Sequence, residues 1–118
     1  MRLVVQKVSQ SSVKIEGEIV GAIDKGYMVL VGITNGDDEL LVEKMVDKLV
    51  NLRIFEDEND KLNLSLLDVG GSVLSISQFT LYANCKKGRR PSFIDAAKPD
   101  ISSPLYDFFN KKLAEKGI

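Results

Sequence analysis

Between Ser77 and Arg90 the chain gathers most of the side chains with which it could do chemistry. They are the hydroxyls of Ser77 and Thr80, the amide of Gln78, the ring of Phe79, and four cations in five positions, Lys86, Lys87, Arg89 and Arg90. A hydroxyl becomes a nucleophile when a base stands beside it. The sequence contains no histidine, so a lysine, a carboxylate or the substrate itself would have to take that proton. Backbone N–H groups at a strand end need no such partner, and each stabilises a developing oxyanion by roughly 3–4 kcal/mol. Two readings of Ser77 and Thr80 therefore stand side by side: a donor-bearing catalytic edge, or residues that only cap a strand.

The cations invite a second chemistry. Arginine forks and lysine ammonium groups suit phosphate oxygens, and Gly88 within the run lets the backbone approach closely. A solvated charge run is the ordinary alternative. Here the run follows directly on the hydroxyl cluster and ends in rigid Pro91, which favours a phosphate-bearing or nucleic-acid ligand. Cys85 precedes Lys86 and Lys87, and neighbouring cations lower a thiol's pKa, yet a lone thiol without a partner base is more often incidental.

Composition narrows the classes further. A single cysteine makes no internal disulfide, and the usual zinc, iron and histidine-triad arrangements need imidazole or several thiolates, so no metal or cofactor is expected. The acidic turn Glu56-Asp57-Glu58-Asn59-Asp60 has some of the spacing of a calcium loop but lacks its central glycine and final glutamate. No run approaches the roughly 20 apolar residues of a membrane helix, and the N-terminus lacks the apolar core of a secretory signal. The expected location is the cytoplasm. At 118 residues, 44% hydrophobic and 28% charged, the chain suits one soluble domain over residues 1–118. Its net charge of −1 conceals a gradient: residues 37–60 hold three bases against nine acids, and residues 61–118 nine bases against five acids. A polyanion should prefer the second half.

The elements that must position this chemistry can be read in order. Arg2 to Ser9 puts Leu3 and Val5 on one face and Val4 and Val8 on the other, which suits a strand covered on both sides, and Val13-Lys14-Ile15 and Ile19-Val20 flank a turn at Gly17, which predicts a hairpin. Tyr27 to Ile33 is a continuous apolar run and reads as a buried central strand. Asp37-Asp38-Glu39 suits a helix N-terminus, with Val42, Met45, Val46 and Leu49 at helical spacing behind it. Burying each of those four contributes roughly 1.5–3 kcal/mol against about 1 kcal/mol for a cap, so packing decides this helix. Asn51 to Phe55 leads into a short strand, and Leu62, Leu64, Leu66 and Leu67 form a partly alternating segment that ends at a turn, Asp68 to Gly71. The apolar strand opening at Ser72 places Ser77 and Phe79 on one face and Gln78 and Thr80 on the other if it stays extended to Thr80. Ser102-Ser103-Pro104 reads as the start of a last helix, with Leu105, Phe108, Phe109 and Leu113 on its buried face and Gly117 as its stop.

Several of these segments, taken together, resemble the D-aminoacyl-tRNA deacylases. They are Ser77-Gln78-Phe79-Thr80, Lys87 to Phe93, Ala96-Ala97-Lys98-Pro99, the opening Met1 to Ser9, Asn51 to Asp57, and Ser65 to Gly71. The resemblance implies an α+β fold with antiparallel, barrel-like sheets and flanking helices, a homodimer, and hydrolysis of the ester between a D-amino acid (or glycine, as on a mischarged alanine tRNA) and the 3′-terminal adenosine of tRNA. It assigns Ser77, Gln78, Phe79 and Thr80 to the catalytic pocket, with backbone N–H groups near Phe79 and Thr80 holding the oxyanion, and it leaves two roles open, Thr80 as nucleophile or the ribose 2′-hydroxyl as activator of water. It gives Lys86, Lys87, Arg89 and Arg90 to the acceptor arm of aminoacylated tRNA. It further implies a Gly-Pro pair that excludes L-amino acids. Residues 1–118 hold no Gly-Pro dipeptide and stop short of the family's usual length, and position 7, usually arginine there, is Lys7. A tRNA-binding relative that is non-catalytic, or relaxed in its chirality, is the alternative this leaves.

Overall fold

The computed structural model describes all of Met1–Ile118. The expected central strand is β4 (Gly26–Gly32), flanked in one sheet by β1 (Arg2–Val8) and β7 (Ser72–Ser77). β1 runs antiparallel to β4 with Arg2 opposite Gly32, whereas β7 runs parallel to it, Gly26 opposite Ser72 and Val31 opposite Ser77. The fold is α+β as expected, on a sheet that is mixed rather than antiparallel throughout. Parallel neighbours need a long crossover, and here it carries a helix, a two-stranded ribbon and a short second helix.

β2 (Ser11–Ile15) and β3 (Glu18–Ile23) form the predicted hairpin. Glu16 and Gly17, at φ of 51° and 82°, make the two-residue turn in which both positions are left-handed. The helix α1 (Glu39–Asn51) begins where its carboxylates suggested, with the Asp38 side chain accepting from the Leu41 N–H at 2.8 Å. It buries Val42, Val46, Leu49 and Val50. These pack with Tyr27, Val29 and Val31 on one face of β4 and with Phe109 and Leu113 of the last helix, α3 (Pro99–Glu115). Lys112 bridges Glu43, and Lys116 bridges Asp47, across the exposed rim between the two helices. No helix is long and apolar enough to cross a membrane.

Three expectations are revised. Within the crossover, β5 (Phe55–Glu56) pairs with β6 (Leu62–Leu64), but the leucine alternation stops at Leu64. Leu66 instead opens a short helix, α2 (Leu66–Val69), held by a reciprocal cap: Ser65 Oγ accepts from the Asp68 N–H and Asp68 Oδ2 accepts from the Ser65 N–H. α3 starts at Pro99, five residues ahead of Pro104, which lies inside the helix. Its far end is as read, with Gly117 at φ 85° and the Ile118 N–H donating to the Leu113 carbonyl. Third, the strand expected to reach Thr80 ends at Ser77.

Candidate active site

The end of β7 shapes the site. Gln78 still donates its N–H to the Val31 carbonyl at 2.8 Å, but the chain then turns into a 3-10 segment over Phe79–Tyr82. The face assignment of Phe79 and Thr80 by strand alternation therefore fails. The turn packs against β4 at Gly32, where a Cβ would stand 2.9 Å from Leu81 Cβ, so glycine there is a packing requirement. The first bond closing the turn runs from the Leu81 N–H to the Gln78 carbonyl, and the N–H groups of Phe79 and Thr80, ahead of it, have no acceptor within the chain. The Gln78 side-chain amide donates to Thr80 Oγ1.

Beside this turn opens a cleft of about 580 Å³. Ser77 and Phe79 form one wall, Phe93 and Lys98 another, and Ser102 and Tyr106 of α3 the third. The rings of Phe79 and Phe93 meet edge to face, centroids 5.3 Å apart, and both remain solvent-accessible. Tyr106 is fixed by Ser75, donating to its carbonyl at 2.9 Å and accepting from its hydroxyl at 3.2 Å. The segment that brings Phe93 and Lys98 to the cleft is docked on the end of β4. There the Ala97 N–H donates to the Ile33 carbonyl at 2.9 Å, Thr34 pairs with Ala96, and the Thr34 hydroxyl donates to the Asp95 carbonyl.

The basic loop is a separate structure. Asn84 and Ser92 exchange both backbone hydrogen bonds, at 2.7 and 2.8 Å, and so close a loop over Cys85 to Pro91 in which Gly88 takes φ 63°. Lys86, Lys87, Arg89 and Arg90 are exposed there, and none forms an ion pair. Of the eight residues singled out in the sequence, Ser77 and Phe79 line the cleft; Gln78 and Thr80 flank Phe79 in the chain and do not line it. Lys86 lines a second cavity, beside Tyr82 of the same turn, and Lys87, Arg89 and Arg90 line neither. Sequence reasoning missed Tyr106, whose only signal was one hydroxyl beside the aromatic stripe of α3.

Fold and cleft together describe a class: an α+β protein whose strand end offers amide and hydroxyl donors beside a cationic loop, an inventory suited to a phosphate-bearing ligand. The family model described as D-Tyr-tRNA(Tyr) deacylase matches residues 4–118, and the chain belongs to that family. It is 65% identical over 118 residues to the D-aminoacyl-tRNA deacylase of Bacillus pumilus, 58% to that of Brevibacillus brevis and 55% to that of Thermus aquaticus. In each case all of this chain is matched, against 80%, 81% and 78% of the relative. Among solved structures it is similar to the c-Myc DNA unwinding element binding protein, at 39% identity and a TM-score of 0.91, covering 98% of this chain and 77% of that one. The structure of a probable eukaryotic D-amino acid tRNA deacylase, at 20% identity and a TM-score of 0.82, covers 98% of this chain and 68% of that one and shares the fold.

Proposed function

We propose that this protein hydrolyses the ester joining a D-amino acid, or glycine, to the 3′-terminal adenosine of tRNA, releasing the amino acid and free tRNA as a proofreading step of translation. Family membership and the full-chain identity to named deacylases support the activity. The observation that carries the assignment of the site is the pair of unpartnered N–H groups on Phe79, which lines the cleft, and on Thr80 next to it in the chain. Water adds to the ester carbonyl carbon and the resulting oxyanion accepts from these two donors, a contribution of roughly 3–4 kcal/mol each. The tetrahedral intermediate then collapses, the bond to the ribose 3′-oxygen breaks, and that oxygen takes up the proton that the attacking water gives up. Thr80 has no base in contact, only the Gln78 amide. The ribose 2′-hydroxyl, adjacent to the ester, orients the attacking water instead. Phe79 and Phe93 offer aromatic surface to the adenine, and Lys87, Arg89 and Arg90 meet phosphates of the acceptor arm.

A homodimer in the cytoplasm completes the reading. Val4, Ile15, Ile19 and Val20 are 47–61% exposed on the side of the sheet away from the helices and on the hairpin, and a second copy would cover them. The decisive test incubates purified protein with D-tyrosyl-tRNA and with the same ester on a tRNA ending in 2′-deoxyadenosine. Release of D-tyrosine from the first and not the second is expected. Survival of the first at the uncatalysed rate would sink the activity, and equal cleavage of both would return the chemistry to Thr80.

A further inference from the structure

We propose that Arg2, held over the ring of Tyr82, and Lys86 together bind the phosphate joining the terminal adenosine to the nucleotide before it. This rests on the reading of the neighbouring cleft as the place of that adenosine. The second cavity, of about 270 Å³, is built on the same turn as the ester cleft. Both are walled by the same two pieces of chain: the 3-10 turn gives Phe79 to the cleft and Tyr82 to the cavity, and the docked segment gives Phe93 and Ala96 to the cleft and Asp95 to the cavity. At about 2 Å per residue, Phe79 and Tyr82 lie roughly 6 Å apart along the turn, a separation that one nucleotide spans.

Arg2 is brought there by strand register, opposite Gly32 at the end of β4 where the turn packs. Its Nη1 donates to the Leu81 carbonyl at 2.8 Å, and its guanidinium carbon lies 4.4 Å above the Tyr82 ring centre. One of five N–H donors is thereby used, and the rest of the fork is free. Because the side chain is already ordered, a phosphate binding to it forfeits little rotamer entropy. Tyr82 is a stable platform: burial, with the nearby Asp37 carboxylate second, pushes its hydroxyl pKa up, and Arg2 opposes this only in part. Lys86 stands on a loop position fixed by its own N–H donating to Asn84 Oδ1 at 3.0 Å. Asp95 is the one carboxylate on the wall. Two cations against one acid leave the cavity attractive to phosphate, and the carboxylate can accept from a ribose hydroxyl.

The test compares D-tyrosyl-tRNA with D-tyrosyl-adenosine, which carries no phosphate. Arg2→Ala should lower the ratio of kcat/KM for tRNA over adenosine about tenfold, through KM, and reduce the salt slope of the tRNA reaction by about one. Lys86→Gln, a side chain with no bond inside the fold, should reduce the slope likewise without moving the thermal midpoint. An unchanged ratio in both variants would overturn the proposal. So would a loss by Arg2→Ala that is equal on the two substrates. If the unaltered protein cleaves neither ester, the hydrolase reading fails by itself, and retention of uncharged tRNA across a salt series by the same variants decides the phosphate site.

Discussion

The hydroxyl of Thr80 accepts from the Gln78 amide, a group that can neither take nor hold a proton, so the side chain is oriented without being activated. Thr80→Val should therefore lower kcat/KM less than about tenfold, where loss of a true nucleophile costs up to about 10⁶ in kcat; steady-state kinetics on D-tyrosyl-tRNA decide. Two aspartates away from the site set a different dependence. Asp57 accepts from the Asn63 side chain at 2.7 Å and from the N–H groups of Asn59 and Lys61, which hold its carboxyl below the ordinary 3.8. Asp68 is lowered by its reciprocal cap with Ser65. A carboxylate depressed in the folded state contributes stability that is present above its unfolded pKa and lost as the pH falls through the folded one. Urea midpoints should thus decline from about 3.8 downward, and Asp57→Asn and Asp68→Asn should each flatten that decline; a parallel decline in the variants would refute the assignment. The same contacts organise the acidic turn of Glu56 to Asp60 around Asp57.

Among the elements, those whose hydrophobic period runs long were legible without coordinates. β4 was plain from an unbroken apolar run and α1 from its i, i+3, i+4 spacing, although half-buried Met45 yields its place in the core to Val50. α2 was hidden because a single helical turn shows no period of 3.6, and Leu62, Leu64 and Leu66 imitate a strand up to the cap at Ser65. Ser65→Ala should cost about 1 kcal/mol in a denaturant titration. α3 offered two prolines for one start, and sequence spacing chose Pro104; docking of the preceding segment on Ile33 and Thr34 selects Pro99. The cleft's third wall, from Ser102 to Tyr106, was beyond reach, since it comes from α3 and depends on contacts between residues distant in sequence. The turn that carries Phe79 and Thr80 depends on Gly32. Gly32→Ala would force Leu81 and Tyr82 outward, and deacylation should fall at least tenfold while far-UV circular dichroism stays that of the parent. Full activity in that variant would detach the turn from the chemistry.

At the scale of the whole molecule, the Cα radius of gyration is 15.5 Å, against about 13.5 Å for a compact chain of this length. The hairpin β2–β3, exposed along most of its length, accounts for part of the excess. Ile19→Lys should shift sedimentation from dimer to monomer at micromolar concentration; a species already monomeric in the parent would remove the dimer from the proposal. The parallel pairing of β4 with β7 bears on how the molecule comes into being. Ser77 reaches Val31 only after α1, the ribbon and α2 have been threaded between them, and such distant closure delays the rewarding contacts. The cleft should consequently be among the last regions to form. Partly folded chains would carry the cationic loop before the pocket, able to hold RNA before they can act on it.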